Sequence, residues 1–172
     1  MTTMFGSTTL GRDDRPDEQL LADYRHGDKD SFATLIGRYQ RELHARLAQV
    51  EARDATAALR AFIENFVEFS ARVPQLHRIM TQESTQGSGR IQWVIEAHLL
   101  DSFSQVCELI RRGQAAGAVR KGEPERLYYA VIGLGGTLFS VSTEFGLLTP
   151  RDVFSTREVR KTILMIFDFL FC

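Results

Sequence analysis

The chain has 172 residues, 44% of them hydrophobic and 25% charged, and its 21 Lys and Arg against 22 Asp and Glu leave a formal net charge of −1. That length fits one domain, and ordinary hydrophobic content with nearly cancelling charge excludes an intrinsically disordered chain. Cys107 and the final residue, Cys172, are the only cysteines, which excludes a disulfide scaffold and points to reducing, intracellular surroundings.

Residues 1–16, rich in Thr, Gly, Arg and Asp, read as a disordered leader with no continuous apolar core of the kind a secretory signal needs. Asp17 caps a short expected helix over 18–25, which His26-Gly27-Asp28 interrupts. A longer helix over about 29–53 follows, with Phe32, Leu35, Ile36, Tyr39, Leu43, Leu47 and Val50 on one face of a 3.6-residue repeat. The next, about 55–73, carries Leu59, Phe62, Ile63, Phe66, Val67, Phe69 and Val73 and stops at Pro74. Leu76, Ile79 and Met80 fit a short helix to about residue 85. Beyond the turn Gln86-Gly87-Ser88-Gly89, one long helix is expected over about 90–116, with Gly117 as its stop. Pro124 opens another that reaches about Phe145, residues 146–154 connect, and Ser155 caps a final helix over 156–172. No segment alternates with period two for long, so the fold class is all-α.

The final helix stands apart. Val159, Ile163, Ile166, Phe167 and Leu170 line one face, and Leu164, Met165, Phe169 and Phe171 cover the rest. A helix apolar all round must be buried all round. Either the other helices wrap it as a central core element, or a second copy of the chain covers one side, with the five face residues as the dimer interface; the second reading is preferred.

Signs of chemistry are few. No two of His26, His44, His77 and His98 stand at i, i+4, so no metal site is expected. His98, on an apolar face, reads as a core histidine or a hydrogen-bond donor to a ligand. No nucleophile elbow, phosphate loop or calcium loop occurs, so neither an enzyme nor a cofactor is expected. Gly133-Leu134-Gly135-Gly136 lacks the third glycine of a dinucleotide turn, since position 138 is Leu138. Small residues there favour close helix approach instead. Phe62, Phe66 and Phe69, with Met80, Trp93, His98 and Phe103, make up the candidate ligand-binding set. The aromatic members wall an apolar cavity between helices or fill an ordinary core, and composition does not separate the two. The longest apolar stretches, 128–141 and 163–172, fall short of the ~20 residues a membrane-spanning helix needs; a cytoplasmic protein without a membrane partner is expected.

Two resemblances follow from these residues. The stretch Ala57-Ala58-Leu59-Arg60-Ala61-Phe62-Ile63-Glu64-Asn65-Phe66-Val67-Glu68-Phe69-Ser70 resembles the effector domain of TetR-type transcriptional regulators. So do Pro74-Gln75-Leu76-His77-Arg78-Ile79-Met80, Arg90-Ile91-Gln92-Trp93, Ile110-Arg111-Arg112-Gly113-Gln114-Ala115-Ala116-Gly117 and Pro124-Glu125. The resemblance covers about 38–172 and implies a homodimer joined through its last two helices. It also implies a small hydrophobic effector held among the middle helices. DNA binding is a family property, but residues 1–37 are too few for a complete helix-turn-helix head. Nine Lys or Arg against ten Asp or Glu between Arg12 and Arg60 offer no basic face. The stretch from Asp17 to Tyr39, including Asp17-Glu18-Gln19-Leu20-Leu21 and Asp30-Ser31-Phe32-Ala33-Thr34-Leu35-Ile36, resembles the opening helices of extracytoplasmic-function sigma factors. That likeness implies an alternative function, contact with RNA polymerase through residues 17–40, against the plainer reading of two helices packed on the effector core.

Overall fold

The computed structural model describes residues 13–50, 54–87 and 89–172. In chain order its elements are α1 (Asp17–Arg25), α2 (Lys29–Leu47), α3 (Ala55–Arg72), α4 (Pro74–Gln86) and α5 (Gly89–Val94). A π-helical turn (Ile95–Leu99) leads into α6 (Leu100–Ala115), then α7 (Pro124–Ser140), α8 (Ser142–Leu148) and α9 (Thr156–Leu170). Among the described residues, extended pairing is limited to one isolated bridge between Val119 and Phe171. The fold is all-α.

Local chemistry sets the boundaries. Asp28, Asp54 and Ser155 cap α2, α3 and α9 by accepting from the backbone N–H groups of Asp30, Ala57 and Glu158, groups that lack partners inside a first helical turn. Pro74 and Pro124 open α4 and α7, where a missing N–H costs nothing. Gly117, at φ +73°, ends the run after α6 in a left-handed conformation that a residue with a Cβ resists. Of the expected disordered leader, 1–12 lie outside the described residues, as do 51–53 at the expected end of the second helix. Residues 13–16 are tied down: Arg38 donates to the carbonyls of Asp13 and Arg15 and pairs with Asp17, while Arg15 pairs with Asp13 and Asp23.

Two expected helices are broken. The long helix over 90–116 contains the π turn, in which the Leu100 N–H donates to the Ile95 carbonyl. In an unbroken α-helix Val106 would lie about 120° round from Val94. The extra residue brings the two closer to phase, so that one continuous rod serves two cores. The helix from Pro124 bends by 70° at Val141, and α8 continues to Leu148 where a connection was expected.

Those cores are distinct. The larger gathers Leu59, Ile63 and Val67 of α3, Val106 and Ile110 of α6, Val131 and Phe139 of α7, and the inner face of α9. The smaller joins α1 and α2 to the rest through Leu20, Tyr24, Phe32, Leu35, Phe69 and Val94. Tyr39 packs against both and marks their seam.

The residues expected at a dimer interface lie against the chain's own core. Ile163, Ile166, Phe167 and Leu170 are buried in the chain's own larger core, and Val159 packs against it. Arg60 of α3 lies over the rings of Phe167 and Phe171, 4.5 and 4.3 Å from their centroids. The face α9 leaves open carries Leu164 and Met165, 43% and 46% exposed.

Close helix approach at the glycines holds for two of the three. A Cβ on Gly135 would stand 2.9 Å from the Phe66 ring, and one on Gly136 would stand 2.4 Å from Nδ1 of His77; Gly133 meets nothing within 4 Å.

Candidate functional site

The structure divides the candidate ligand residues among three places. Phe62 and Phe66 of α3 and Phe103 of α6 come together around Tyr128 of α7. The Phe62 centroid lies 6.2 Å from Phe66 and 6.3 Å from Tyr128, and Phe103 meets Tyr128 edge-on at 5.0 Å. Such rings favour offset or edge-to-face contact, which fixes the wall's shape. Burial, with Tyr129 and Cys107 nearby, pushes the Tyr128 hydroxyl up to about 12, so it stays a neutral donor.

Met80 and Trp93 stand elsewhere, in a solvent-open pocket of about 390 Å³. One wall comes from the N-terminal helices (Tyr24, Asp30, Phe32) and the other from α4 and α5 with the residues around them (Met80, Glu83, Ile91, Trp93, Val94). Its lining is mainly apolar, and the volume lies in the range of small-molecule sites. The Tyr24 hydroxyl donates to Oε1 of Glu83 at 2.9 Å, tying α1 to α4 across the pocket. His98 stands behind it, its ring edge-on to Trp93 at 5.3 Å.

Phe69 occupies the third place, buried at the seam with its ring 4.9 Å from that of Tyr39. Burial pushes the Tyr39 hydroxyl far above the usual tyrosine range, with Tyr128 adding to the rise, while the neighbouring Asn65 amide works the other way. Asn65 is 1% exposed, yet neither Nδ2 nor Oδ1 has a partner at hydrogen-bond geometry, and the buried Nε2 of His98 has none either. Gln40 of α2 donates to the His98 carbonyl, fastening the π turn beside Tyr39. Burial lowers the pKa of both His77 and His98, favouring their neutral forms.

Tyr128, Tyr39, Asn65, Tyr24 and Phe32 are absent from the sequence-derived set. Asn65 left a trace in the sequence: with Ser70 it is one of two polar residues on the buried face of α3 that runs through Phe62, Phe66 and Phe69, where a polar group must find a partner or remain unsatisfied. Tyr24 and Phe32 gave no such trace, because a reading of two helices packed on the effector core does not say which of their side chains wall a pocket. Among the described residues, no group of three His, Cys, Asp or Glu is placed to hold a metal ion, and no single helix is long and apolar enough to cross a membrane.

Compared with known families, the chain matches the model described as a tetracyclin repressor-like C-terminal domain over residues 56–170, from the first turn of α3 to the last residue of α9. Among curated proteins no match is found. The family match leaves 17–39 uncovered, and the likeness of that stretch to sigma factors finds no support. Its described role is packing: Leu20, Leu21, Tyr24, Phe32, Leu35 and Ile36 are all buried.

Proposed function

The chain belongs to the tetracyclin repressor-like C-terminal domain family, and on that premise we propose that it is the effector-sensing module of a TetR-type regulator, a homodimer that binds a small, mainly apolar molecule. The observation that carries this reading is the pocket shared between two parts of the chain. Tyr24 and Phe32 precede the family match, whereas Met80 and Trp93 lie within it. A molecule wedged there changes how α1 and α2 sit on the effector helices. That is the differential contact a ligand needs to shift a population between two arrangements.

The change has a path onward. The α4 helix supplies Met80 and Glu83 to the pocket, and its His77 ring sits on Gly136 of α7. Nε of Arg78 donates to the Ser140 carbonyl at 2.5 Å, just before the bend into α8. Outward from that bend stand Leu147 and Leu148 on α8, 84% and 76% exposed, and on α9 Leu164 and Met165. These open apolar side chains support a partner surface on the last two helices, displaced from the buried residues the sequence suggested. Reading DNA is outside this proposal, because residues 12–60 balance nine basic against ten acidic side chains.

Titration with the neutral apolar fluorophore N-phenyl-1-naphthylamine tests the reading, since energy transfer from Trp93, the only tryptophan, reports occupancy of the pocket it lines. Saturable binding is expected, weakened at least about tenfold by Met80→Glu, which sets a carboxylate against an apolar ligand. Non-saturating uptake, or equal affinity in the variant, overturns it.

A further inference from the structure

We propose that Asn65 and Tyr39, at the seam of the two cores, form the polar recognition point of this domain, and that the ligand they take is a neutral, mainly apolar molecule bearing a carboxamide or lactam. The inference rests on the ligand-sensing reading above and adds the chemical class of the ligand.

Asn65 carries the argument. Its side chain is 1% exposed, and although the Tyr39 hydroxyl stands close enough to interact with the amide, neither polar atom has a partner at hydrogen-bond geometry. Each unmade hydrogen bond on a buried group costs about 1–3 kcal/mol, so a leucine of similar shape would serve the fold better. A ligand that completes both bonds removes that cost. The place of Asn65 fits a binding role. Phe66 follows it directly in α3, with Phe62 a turn before and Phe69 a turn after, and the Tyr39 hydroxyl lies beside its amide. A second unpartnered polar atom, Nε2 of His98, belongs to the π turn that Gln40 fastens to the helix of Tyr39. The His98 ring also meets Trp93, which lines the open pocket, so a line of contacts leads from solvent toward the seam. π turns of this kind recur at functional sites.

Chemistry narrows the ligand. Asn65 presents a donor and an acceptor side by side, and a carboxamide or lactam answers both with two N–H···O bonds. An ester or ketone meets only Nδ2, and a hydrocarbon meets neither. An ionised ligand is disfavoured, because the buried charged side chain among the described residues is Glu158, which is bound to Lys161 on α9, and burying an unpaired charge is costly.

The test compares 4-butylbenzamide with methyl 4-butylbenzoate, which lacks the donor and carries one methyl more, so that apolar burial alone would favour the ester. Affinity is read from Trp93 emission and from the shift in Tm, on the full chain and on Asn65→Leu and Tyr39→Phe. The wild type is expected to bind the amide about tenfold more tightly than the ester. Asn65→Leu should erase that preference while its ligand-free Tm holds or rises. Tyr39→Phe, which keeps the ring against Phe69, should fold normally and narrow the preference. Equal binding of amide and ester by the wild type overturns the proposal and leaves the sensing reading intact. So does a preference that survives in Asn65→Leu, or a Tm that falls by several degrees in that variant, which would show the amide held by the fold itself. Failure of both probes to bind overturns the sensing reading, and this inference with it.

Discussion

At the scale of single residues, the groups that matter most are polar side chains kept among apolar ones. His77 and His98 are both partly buried, and desolvation holds both pKa values below the ordinary histidine value of 6.5. A histidine kept neutral in the folded state binds more protons once unfolded. Its stabilising contribution is therefore complete above pH 6.5 and drains away as pH falls from there toward the lowered folded value. Carboxylates held down by partners, Glu158 by Lys161 and Asp13 by Arg15 at about 2, give up theirs only at more acid pH, so the two effects separate. The urea midpoint should fall between pH 7.5 and 5.5, and His77→Gln should flatten that fall while leaving the loss below pH 4 in place. An unchanged slope in the variant would show that His77 is solvated and that its seat on Gly136 is loose.

At the scale of elements, the contacts of α7 predict opposite outcomes for neighbouring glycines. Gly136→Ala drives a methyl to 2.4 Å from the His77 ring, an overpacking cost of about 1–3 kcal/mol that exceeds the ~1 kcal/mol of helix propensity gained. Gly133→Ala meets open space and keeps that gain. Thermal unfolding of the pair should move Tm in opposite directions, and a destabilised Gly133→Ala would disprove the stated packing of α7. The glycine cluster also shows what was legible beforehand. Composition separated close packing from a dinucleotide turn, because a missing third glycine is visible in sequence. Which glycine faced which helix was not, since that depends on the rotation of α7. Caps and stops, such as Ser155, Pro124 and Gly117, act within a few residues and were readable, although Asp17, expected as a cap, is instead the first residue of α1 behind Pro16. The π turn and the bend at Val141 answer to the demand that one rod face two cores, and a local repeat does not register that demand. The aromatic set was readable by type but not by place: Phe62 and Met80 belong to different cores, and Asn65 between them acquires meaning only once its burial is known.

At the scale of the whole molecule, the two faces of α9 make separate contributions. The inner face is spent on the chain's own core, so Ile166→Asp, which buries a carboxylate where exposure is nil, should prevent folding outright. The outer face, Leu164 and Met165, contributes little to a lone subunit but becomes significant when two copies meet, because an isologous contact uses every side chain twice. With each of the four half-exposed side chains gaining about 0.7 kcal/mol on burial, the pair of copies gains about 3 kcal/mol, a hundredfold in the association constant. Sedimentation equilibrium at tens of micromolar should therefore find the wild type dimeric. The double variant Leu164→Asp, Met165→Asp should be at least a hundredfold weaker in association with its Tm nearly unchanged, since neither residue belongs to the buried core. A wild type that sediments as a monomer at that concentration would remove the partner surface from the last two helices. It would leave the pocket between α1, α2, α4 and α5 to act within a single chain.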